Sequence, residues 1–264
     1  MIYSINIFGK SVPIYGFMGL MGVIAGFIYL SIYLRKDKKL LDDLIYTYVF
    51  CILFAMLGAK LLYLLQNVSE IIVDINNPEM GMYNVLYKYI AGGFVFYGGM
   101  IGGIAGYAIS VKYFGLKFWD NVRYMLPTLP LIHGFGRIGC FLVGCCYGRE
   151  TDFPLYIEYP NSVYAPNHIH LIPIQLYEAI GEFLIFFLLL ICGNKFKNVR
   201  FNLDIYFISY GILRFILEIF RGDELRRHYG IFSTSQWISI IIILIAILHI
   251  IYENKVLTKN RNTV

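Results

Sequence analysis

WISIIIILIAILHIIY, at residues Trp237–Tyr252, is a nearly continuous apolar run, and FLIFFLLLICG forms a second at Phe183–Gly193. A helix needs about 20 mainly apolar residues to cross the hydrocarbon core of a bilayer. The whole chain is 58% hydrophobic and 15% charged, whereas a soluble domain is roughly half apolar and about a quarter charged. These runs therefore predict membrane-spanning helices.

Working outward from these two runs, the hydropathy pattern predicts about seven transmembrane helices in one integral-membrane domain, residues 1–264, with an all-α fold. The third and fourth spans are interrupted by glycine and polar residues, which a membrane helix tolerates where protein or a cavity surrounds it. The predicted spans are Pro13–Leu34, Leu44–Gln66, Ile90–Tyr113, Val122–Gly144, Ile172–Gly193, Phe201–Phe220 and Ile231–Tyr252.

The distribution of lysine and arginine predicts the orientation of the chain. Thirteen of these residues fall in one set of loops and six in the other. Because cytoplasmic loops carry the excess, we expect the N-terminus outside and the C-terminus in the cytoplasm. The outside loop Arg221–Arg227 is a local exception, with three arginines. Two polar outside segments, Asn67–Tyr89 and Cys145–Leu171, are long enough to form a small extracytoplasmic cap.

Composition also argues against several other classes of protein. No basic run interleaved with aromatic residues suggests nucleic-acid binding. Five cysteines are an odd number, and three lie within or beside predicted spans, which argues against a disulfide scaffold. A seven-span transporter or receptor remains an alternative, although paired halves with broken helices are not evident in the sequence.

The stretch HGFGRIGCFLVGCCYGRET, residues His133–Thr151, places Arg137 inside a predicted membrane helix. An arginine near the centre of a bilayer costs about 2.5–3.5 kcal/mol on insertion scales, so it usually faces a cavity or a partner. One interpretation is a structural arginine bound by backbone carbonyls, and the other is an anion-binding site.

The cysteines of this stretch and the glycines of the third span have both structural and functional interpretations. The spacing of Cys140, Cys145 and Cys146 matches no usual zinc pattern, so we expect packing residues and no bound metal. In the third span, Gly98 and Gly99 belong to a run of glycines whose spacing allows close helix packing, although bare backbone there could also approach a ligand.

The sixth span carries a polar face formed by Tyr210, Arg214, Glu218 and Arg221. Their spacing of four, four and three residues places these side chains on one side of a helix. Glu218 can pair with either arginine, so a purely structural ladder is possible. With Arg137, however, the cations exceed what one glutamate neutralises, and the surplus favours an anion such as a lipid phosphate.

These residues resemble the signature of the prolipoprotein diacylglyceryl transferase family of bacterial inner-membrane enzymes. The GRIGNF…G…YGR signature is matched by Gly136–Phe141 and Tyr147–Arg149, and the YGxxRFxxExxR pattern by Tyr210–Arg221. Supporting matches keep the family order over nearly the whole chain. They are Tyr15-Gly16, Gly98-Gly99, Gln175-Leu176-Tyr177-Glu178 and the SxxQ-like segment Ser233–Gln236.

The resemblance implies transfer of a diacylglyceryl group from phosphatidylglycerol to the lipobox cysteine of a preprolipoprotein, with no cofactor and no metal. By position, Tyr97, Arg137 and Arg214 would be catalytic, with Arg137 holding the lipid phosphate. The other residues implied in phospholipid binding are Tyr15, Gly98, Gly99, Cys140, Gly148, Tyr210, Glu218 and Arg221. Residues implied in support of the site are Gln175, Glu178, Cys145 and Arg149.

Three positions depart from the family pattern. Tyr97 replaces the usual histidine before the paired glycines, Cys140 replaces asparagine, and Cys145 replaces a common glutamate. A tyrosine, with a reference pKa near 10, accepts a proton at neutral pH only if that pKa is strongly lowered. These departures motivate an alternative, a divergent or inactive relative that binds phospholipid or uses another acceptor.

Overall fold

The computed structural model describes residues 4–7, 10–77, 80–195, 199–223 and 228–261, which are mostly helical. Arg226 and Arg227, which contribute to the predicted charge exception, lie outside the described residues. The helices are α1 Ile14–Tyr33, α2 Lys38–Gln66, α3 Val68–Ile75, α4 Met82–Ala91, α5 Phe96–Tyr113, α6 Phe118–Met125, α7 Thr128–Val143, α8 Ile174–Lys195, α9 Val199–Ile219 and α10 Thr234–Arg261.

Among the described residues, three antiparallel two-stranded sheets accompany these helices, a feature that the all-α prediction did not include. The strands are β1 Ser4–Ile7 with β2 Lys10–Pro13, β3 Ile157–Glu158 with β4 His170–Leu171, and β5 His228–Tyr229 with β6 Phe232–Ser233. The second sheet lies in the predicted outside segment Cys145–Leu171. There Tyr159, Ala165 and Leu171 form a small buried cluster, so this segment forms more than a turn.

Among the described residues, five helical segments are long and apolar enough to cross a membrane, or six if one bent pair counts as a span. Their apolar length confirms a membrane protein with several spans. Helix α9 is not in this set because it carries Arg200, Asp204, Arg214 and Glu218 within 21 residues. The count of seven spans and the orientation therefore stay predictions.

The predicted third span, Ile90–Tyr113, is not one straight helix. Helices α4 and α5 meet at a bend of 71°, and Gly92 ends α4 in an extended conformation. The Tyr63 hydroxyl of α2 occupies the space beside Gly92, where an added Cβ would lie 2.6 Å from that oxygen. The interruption expected in this span is therefore present as a break between α4 and α5, and Gly92 at that break packs against another helix.

The chain divides into two compact units, and each has its own helix packing. In the unit made of Met1–Tyr29 and Val122–Val264, α7 packs on α8, α8 on α9, and α9 on α10. Small residues allow close approach: Gly211 of α9 lies against Ile243 of α10. This row of helices brings the polar face of α9 towards polar residues of α7 and α8.

In the second unit, Leu30–Asn121, α2 packs along α5. Gly98, Gly102 and Gly106 of α5 lie directly against the α2 backbone, where a Cβ would overlap carbonyl oxygens of Gly58, Phe54 and Phe50. The packing interpretation of these glycines is therefore confirmed. The short helices α3 and α4 are linked by Lys88 and Tyr89, each with its polar atom 2.7 Å from Oδ2 of Asp74.

Candidate active site

Arg137 and His133 occupy one face of α7, four residues apart. Nε of Arg137 donates a hydrogen bond to Nε2 of His133 over 3.2 Å. Side chains at this spacing are neighbours on a helix, so the sequence itself sets up the contact. The Arg137 side chain is 15% exposed, so it is largely but not completely buried.

Two buried glutamates of α8 face this pair of residues. Nη2 of Arg137 lies 3.0 Å from Oε1 of Glu178, and Nδ1 of His133 lies 2.6 Å from Oε1 of Glu182. Both carboxylates are fully buried. Glu178 and Glu182 are also four residues apart, so they lie on successive turns of α8. Each of them contacts one of the two polar residues on successive turns of α7.

Arg214 brings α9 to the same point. Its Nη1 lies 3.5 Å from Oε1 of Glu178, and its Nη2 lies 2.9 Å from Oε2 of Glu218. Oε1 of Glu178 therefore receives two guanidinium groups, from Arg137 and Arg214. This oxygen fixes the two predicted catalytic arginines relative to each other, across three helices.

The network continues to the start of α10 through Ser233. Its hydroxyl donates to Oε1 of Glu218 over 2.8 Å. The Ser233 amide donates to Oε1 of Gln236, and the Gln236 amide donates to the Ser233 hydroxyl. This reciprocal pattern is a capping box. The SxxQ-like match in the sequence therefore starts α10 and holds Glu218 at the same time.

The structure corrects the charge balance inferred from the sequence. That inference set Arg137, Arg214 and Arg221 against Glu218 alone, and the surplus it predicted was wrong. Glu178 pairs with two of these arginines. The third pairs with Asp223 through two contacts, of 2.9 and 3.0 Å. The described residues therefore hold a balanced, buried ionic network rather than unpaired positive charge.

Arg221 stays charged although it is buried. Burial alone would lower its pKa, but hydrogen bonds to Asp223 and the electrostatic attraction of Cys146 and Asp223 raise that pKa above its ordinary value. Its backbone forms an isolated antiparallel bridge with Gly148. Arg149, beside Gly148, donates from its amide to the Phe220 carbonyl and from Nε to the Arg221 carbonyl. The predicted supporting residue Arg149 therefore fixes the segment that carries Arg221.

The segment that follows α7 is also held by Gln175. Its Nε2 donates to the Cys145 carbonyl over 2.7 Å and to the Tyr159 hydroxyl over 3.3 Å. Burial raises the pKa of Tyr159 to about 12, so this phenol stays protonated. Gln175 is fully buried and ties the start of α8 to the end of α7.

Of the other predicted site residues, Tyr15 and Tyr210 belong to the unit that holds this network, and Tyr97 belongs to the other unit. The Tyr15 ring packs beside Gly139, where an added Cβ would lie 3.4 Å from Cδ2 of the tyrosine. The Tyr210 ring lies 5.7 Å from the His133 ring, measured between centroids. Tyr97 is 56% exposed in the first turn of α5, in the other unit.

Sequence reasoning gave no site role to His133, Glu182 or Asp223. A signal was present, because His133 and Arg137, like Glu178 and Glu182, are spaced by four residues within apolar helices. Polar side chains repeated at this spacing in a membrane segment need partners. Asp223 had only its proximity to Arg221 as a signal.

Comparisons with known proteins agree in one family. The sequence model of the family described as prolipoprotein diacylglyceryl transferase matches residues 3–252. A phosphatidylglycerol–prolipoprotein diacylglyceryl transferase of Clostridium tetani is 39% identical over 246 residues, covering 92% of this chain and 93% of the relative. Proteins with the same description from Clostridium perfringens (there numbered 2) and Finegoldia magna are 34% and 32% identical, over 92% and 96% of this chain and 91% and 96% of their own.

Proposed function

This chain belongs to the prolipoprotein diacylglyceryl transferase family, and we propose that it transfers the diacylglyceryl group of phosphatidylglycerol to the lipobox cysteine thiol of preprolipoproteins. The product is a thioether, and glycerol phosphate leaves. The proposed setting is the bacterial cytoplasmic membrane, with the buried network in its outward half. This function is an enzymatic group transfer, the first step in the maturation of a lipoprotein.

The observation that carries the proposal is the junction of Arg137 and Arg214 at Glu178. In phosphatidylglycerol the phosphodiester has a single negative charge. When the bond between glyceryl carbon and phosphate oxygen breaks, the departing phosphate gains a second charge. Two guanidiniums fixed in a buried site stabilise that developing charge more than they stabilise the bound lipid, which is what accelerates a reaction.

The contacts of each arginine suggest its role. Arg137 pairs with Glu178 through Nη2 and with His133 through Nε. We assign the guanidinium of Arg137 to the lipid phosphate, because a guanidinium can bind several oxygens at once. Arg214, held by Glu178 and Glu218, is assigned to the oxygen that leaves with glycerol phosphate.

The remaining predicted residues have supporting assignments in this proposal. Tyr15, Tyr210, Glu218 and Arg221 shape the lipid site, and Tyr97 is the candidate proton acceptor for the lipobox thiol. Glu178 is a positioning residue, because it acts through the arginines that it joins. Partners of the enzyme are therefore the lipid and the signal peptide of a preprolipoprotein, both reached from within the membrane.

Complementation tests the proposed reaction. A bacterium depleted of its own transferase would express this chain, and lipid labelling of a prolipoprotein would be measured. We expect labelling with the unchanged protein and loss of about 100–1,000-fold in initial rate for Arg137→Ala, as for removal of one preorganised charge stabiliser. Arg200→Ala is the matched control, since Arg200 pairs with Glu253, away from the network. No labelling by correctly inserted, unchanged protein would refute the proposal.

A second variant tests the assignment of Tyr97. Tyr97→Phe keeps the aromatic ring and removes the hydroxyl, which is the group of this side chain that could accept a proton. We expect a strongly lowered turnover with a nearly unchanged KM for lipid. Tyr113→Phe is the control, because Tyr113 is an exposed tyrosine at the other end of the same helix. Full activity of Tyr97→Phe would exclude this tyrosine as the proton acceptor and leave the transfer itself unaffected.

A further inference from the structure

Three cysteine sulfurs converge beside the ionic network. The Sγ atoms of Cys140, Cys145 and Cys146 all lie within 4.8 Å of one another, and all three are free thiols. Cys140 is buried and the other two are half-buried. The sequence spacing, with four residues between the first two cysteines and none between the last two, gave no indication of this cluster.

The way in which α7 ends explains why the sulfurs meet. The amides of Gly144 and Cys145 donate to carbonyls of the last helical turn: Gly144 to Phe141 over 3.2 Å, and Cys145 to Cys140 over 3.1 Å. This pattern is a Schellman motif, with Gly144 in the left-handed region at φ 83°. The motif reverses the chain, so the residues that follow α7 return over Cys140.

The backbone at Cys146 strengthens this arrangement. Its φ of 57° lies in the left-handed region, which residues other than glycine, asparagine and aspartate seldom adopt. Such conformations persist where the surroundings hold them, and they concentrate at functional sites. Gln175 fixes the Cys145 carbonyl, and Arg221 lies close enough to the Cys146 thiol to interact with it electrostatically. Both thiols are therefore held at positions from which they reach Cys140.

Three thiolates at this separation suit a zinc ion. Zn²⁺ prefers cysteine sulfur in tetrahedral geometry, and catalytic zinc sites use three protein ligands and keep a fourth position open. Three thiolates with one Zn²⁺ carry a net charge of −1. Arg137 and Arg221 both lie close enough to interact electrostatically with Cys146. These cations would repel a bare metal ion but stabilise the anionic thiolate complex.

We propose that Cys140, Cys145 and Cys146 bind one Zn²⁺ whose fourth position takes the lipobox cysteine sulfur as a thiolate. This inference rests on the proposed function and names how its acceptor is activated. A free thiol has an ordinary pKa near 8.5 and is mostly protonated at neutral pH. A thiol that coordinates a cation is deprotonated outright, so bound zinc takes over the activation that the proposed function assigns to Tyr97, which acts as the proton acceptor only where no zinc is bound.

The step is balanced without an oxidant or reductant. The lipobox thiol gives its proton to water as it binds the ion. Its sulfur then forms a bond to the glyceryl carbon, and the bond between that carbon and the phosphate oxygen breaks. The electron pair of the broken bond leaves with glycerol phosphate, which Arg137 and Arg214 stabilise. The neutral thioether is a weaker ligand than the thiolate and departs, which reopens the fourth position.

Metal content is the first test. The full chain, purified in detergent under reducing conditions, would be incubated with Zn²⁺, desalted and analysed by mass spectrometry for metal. We expect about one zinc per chain, lost in Cys140→Ser, Cys145→Ser and Cys146→Ser. Cys51→Ser and Cys192→Ser are matched controls, because these cysteines lie in α2 and α8 outside the cluster. Absence of bound zinc in the reduced, folded protein would overturn the proposal.

Cobalt provides a readout of the open position that is independent of turnover. Co²⁺ in place of zinc gives a thiolate charge-transfer band and visible bands that report coordination number. We expect a peptide with a lipobox cysteine to change these bands, and the same peptide with serine at that position to leave them unchanged. A cobalt spectrum insensitive to the cysteine peptide would refute the acceptor role of the metal.

Lipid labelling separates failure of this inference from failure of the proposed function. Removal of zinc by a chelator should lower the labelling rate at least tenfold, and added Zn²⁺ should restore it. Full labelling by metal-free protein would overturn the zinc inference and still support the transferase. Zinc binding by a chain that never labels a prolipoprotein would overturn the proposed function and, with it, the acceptor role of the metal.

Discussion

Arg137 and Glu178 form a 3.0 Å ion pair between α7 and α8, and the glutamate side chain is 1% exposed. The same carboxylate oxygen lies 3.5 Å from Arg214 of α9. A buried carboxylate that holds two cations links the stability of three helices to the geometry of the candidate site. Removing it should therefore affect both folding and activity.

Glu178→Ala should destabilise the protein by about 3–5 kcal/mol, because it leaves buried guanidiniums without their carboxylate. We expect a clear fall in the thermal unfolding temperature in detergent and loss of lipid labelling. Glu253→Ala is the comparison, since Glu253 pairs with a half-exposed Arg200 and such pairs contribute about 0–1 kcal/mol. Equal losses of stability and activity in the two variants would mean that Glu178 does not stabilise the site through its pairing with Arg137 and Arg214.

Gly148→Ala tests the segment that positions Arg149 and Arg221. An added Cβ at Gly148 would overlap the Ile172 carbonyl oxygen and lie 2.8 Å from the Ile172 Cβ. Overpacking of this kind costs about 1–3 kcal/mol, and the shift should also displace Arg221. We expect a lower unfolding temperature and weaker labelling of prolipoprotein.

Gly19→Ala is the control for this substitution, because a Cβ at Gly19 of α1 would have no atom within 4 Å. Alanine also has the higher helix propensity, so stability should be unchanged or slightly greater. If Gly148→Ala were as stable and active as Gly19→Ala, the close contact with Ile172 would not constrain the site.

Much of the fold could be predicted because long apolar runs are a property of consecutive residues. The predicted first span, Pro13–Leu34, differs from α1, Ile14–Tyr33, by one residue at each end. The sequence shows glycines that interrupt the third span, but it does not show that Gly92 packs against Tyr63 from another helix. Local pattern therefore predicted where helices form, but not which neighbouring helix packs against a break.

The candidate site was predictable in its residue types and not in its pairing. Arg137 and Arg214 stood out as charges within apolar sequence, and family resemblance gave them roles. Their common partner Glu178 lies on a third helix, so the charge balance depended on helix packing that no spacing rule gives. The cysteine cluster depends on two left-handed backbone angles, at Gly144 and Cys146.

Asp74 predicts how the pairing of α3 with α4 depends on pH. Hydrogen bonds from Lys88, and then from Tyr89, hold the pKa of Asp74 below its ordinary value of 3.8. A lowered pKa in the folded state stabilises the pairing above pH 3.8, and the contribution is lost as pH falls through the lowered value. The protection of α3 and α4 amides against hydrogen exchange, relative to the intrinsic rate at each pH, should therefore fall in acid.

Lys88→Met is the control for this pH effect, because it removes the ammonium group and keeps a long apolar side chain. In this variant the acid-induced loss of protection should begin at higher pH, closer to 3.8. The protection of amides in α8, which does not take part in the pairing of α3 with α4, should change with pH equally in Lys88→Met and in the unchanged protein. An unchanged acid profile in Lys88→Met would mean that the ion pair does not stabilise this part of the chain.

Gly98 and Gly99 separate helix packing from a direct role in lipid binding. A Cβ at Gly98 would overlap the Gly58 carbonyl oxygen, whereas one at Gly99 would make ordinary 3.5 Å contacts with Ala55 and Ala59. Gly98→Ala should therefore lower stability by about 1–3 kcal/mol, and Gly99→Ala should leave the unfolding temperature nearly unchanged. If Gly99 approaches the lipid, as the family resemblance implies, Gly99→Ala should still raise the KM for phosphatidylglycerol. A stable Gly99→Ala protein with unchanged KM would restrict this glycine pair to packing of α5 on α2.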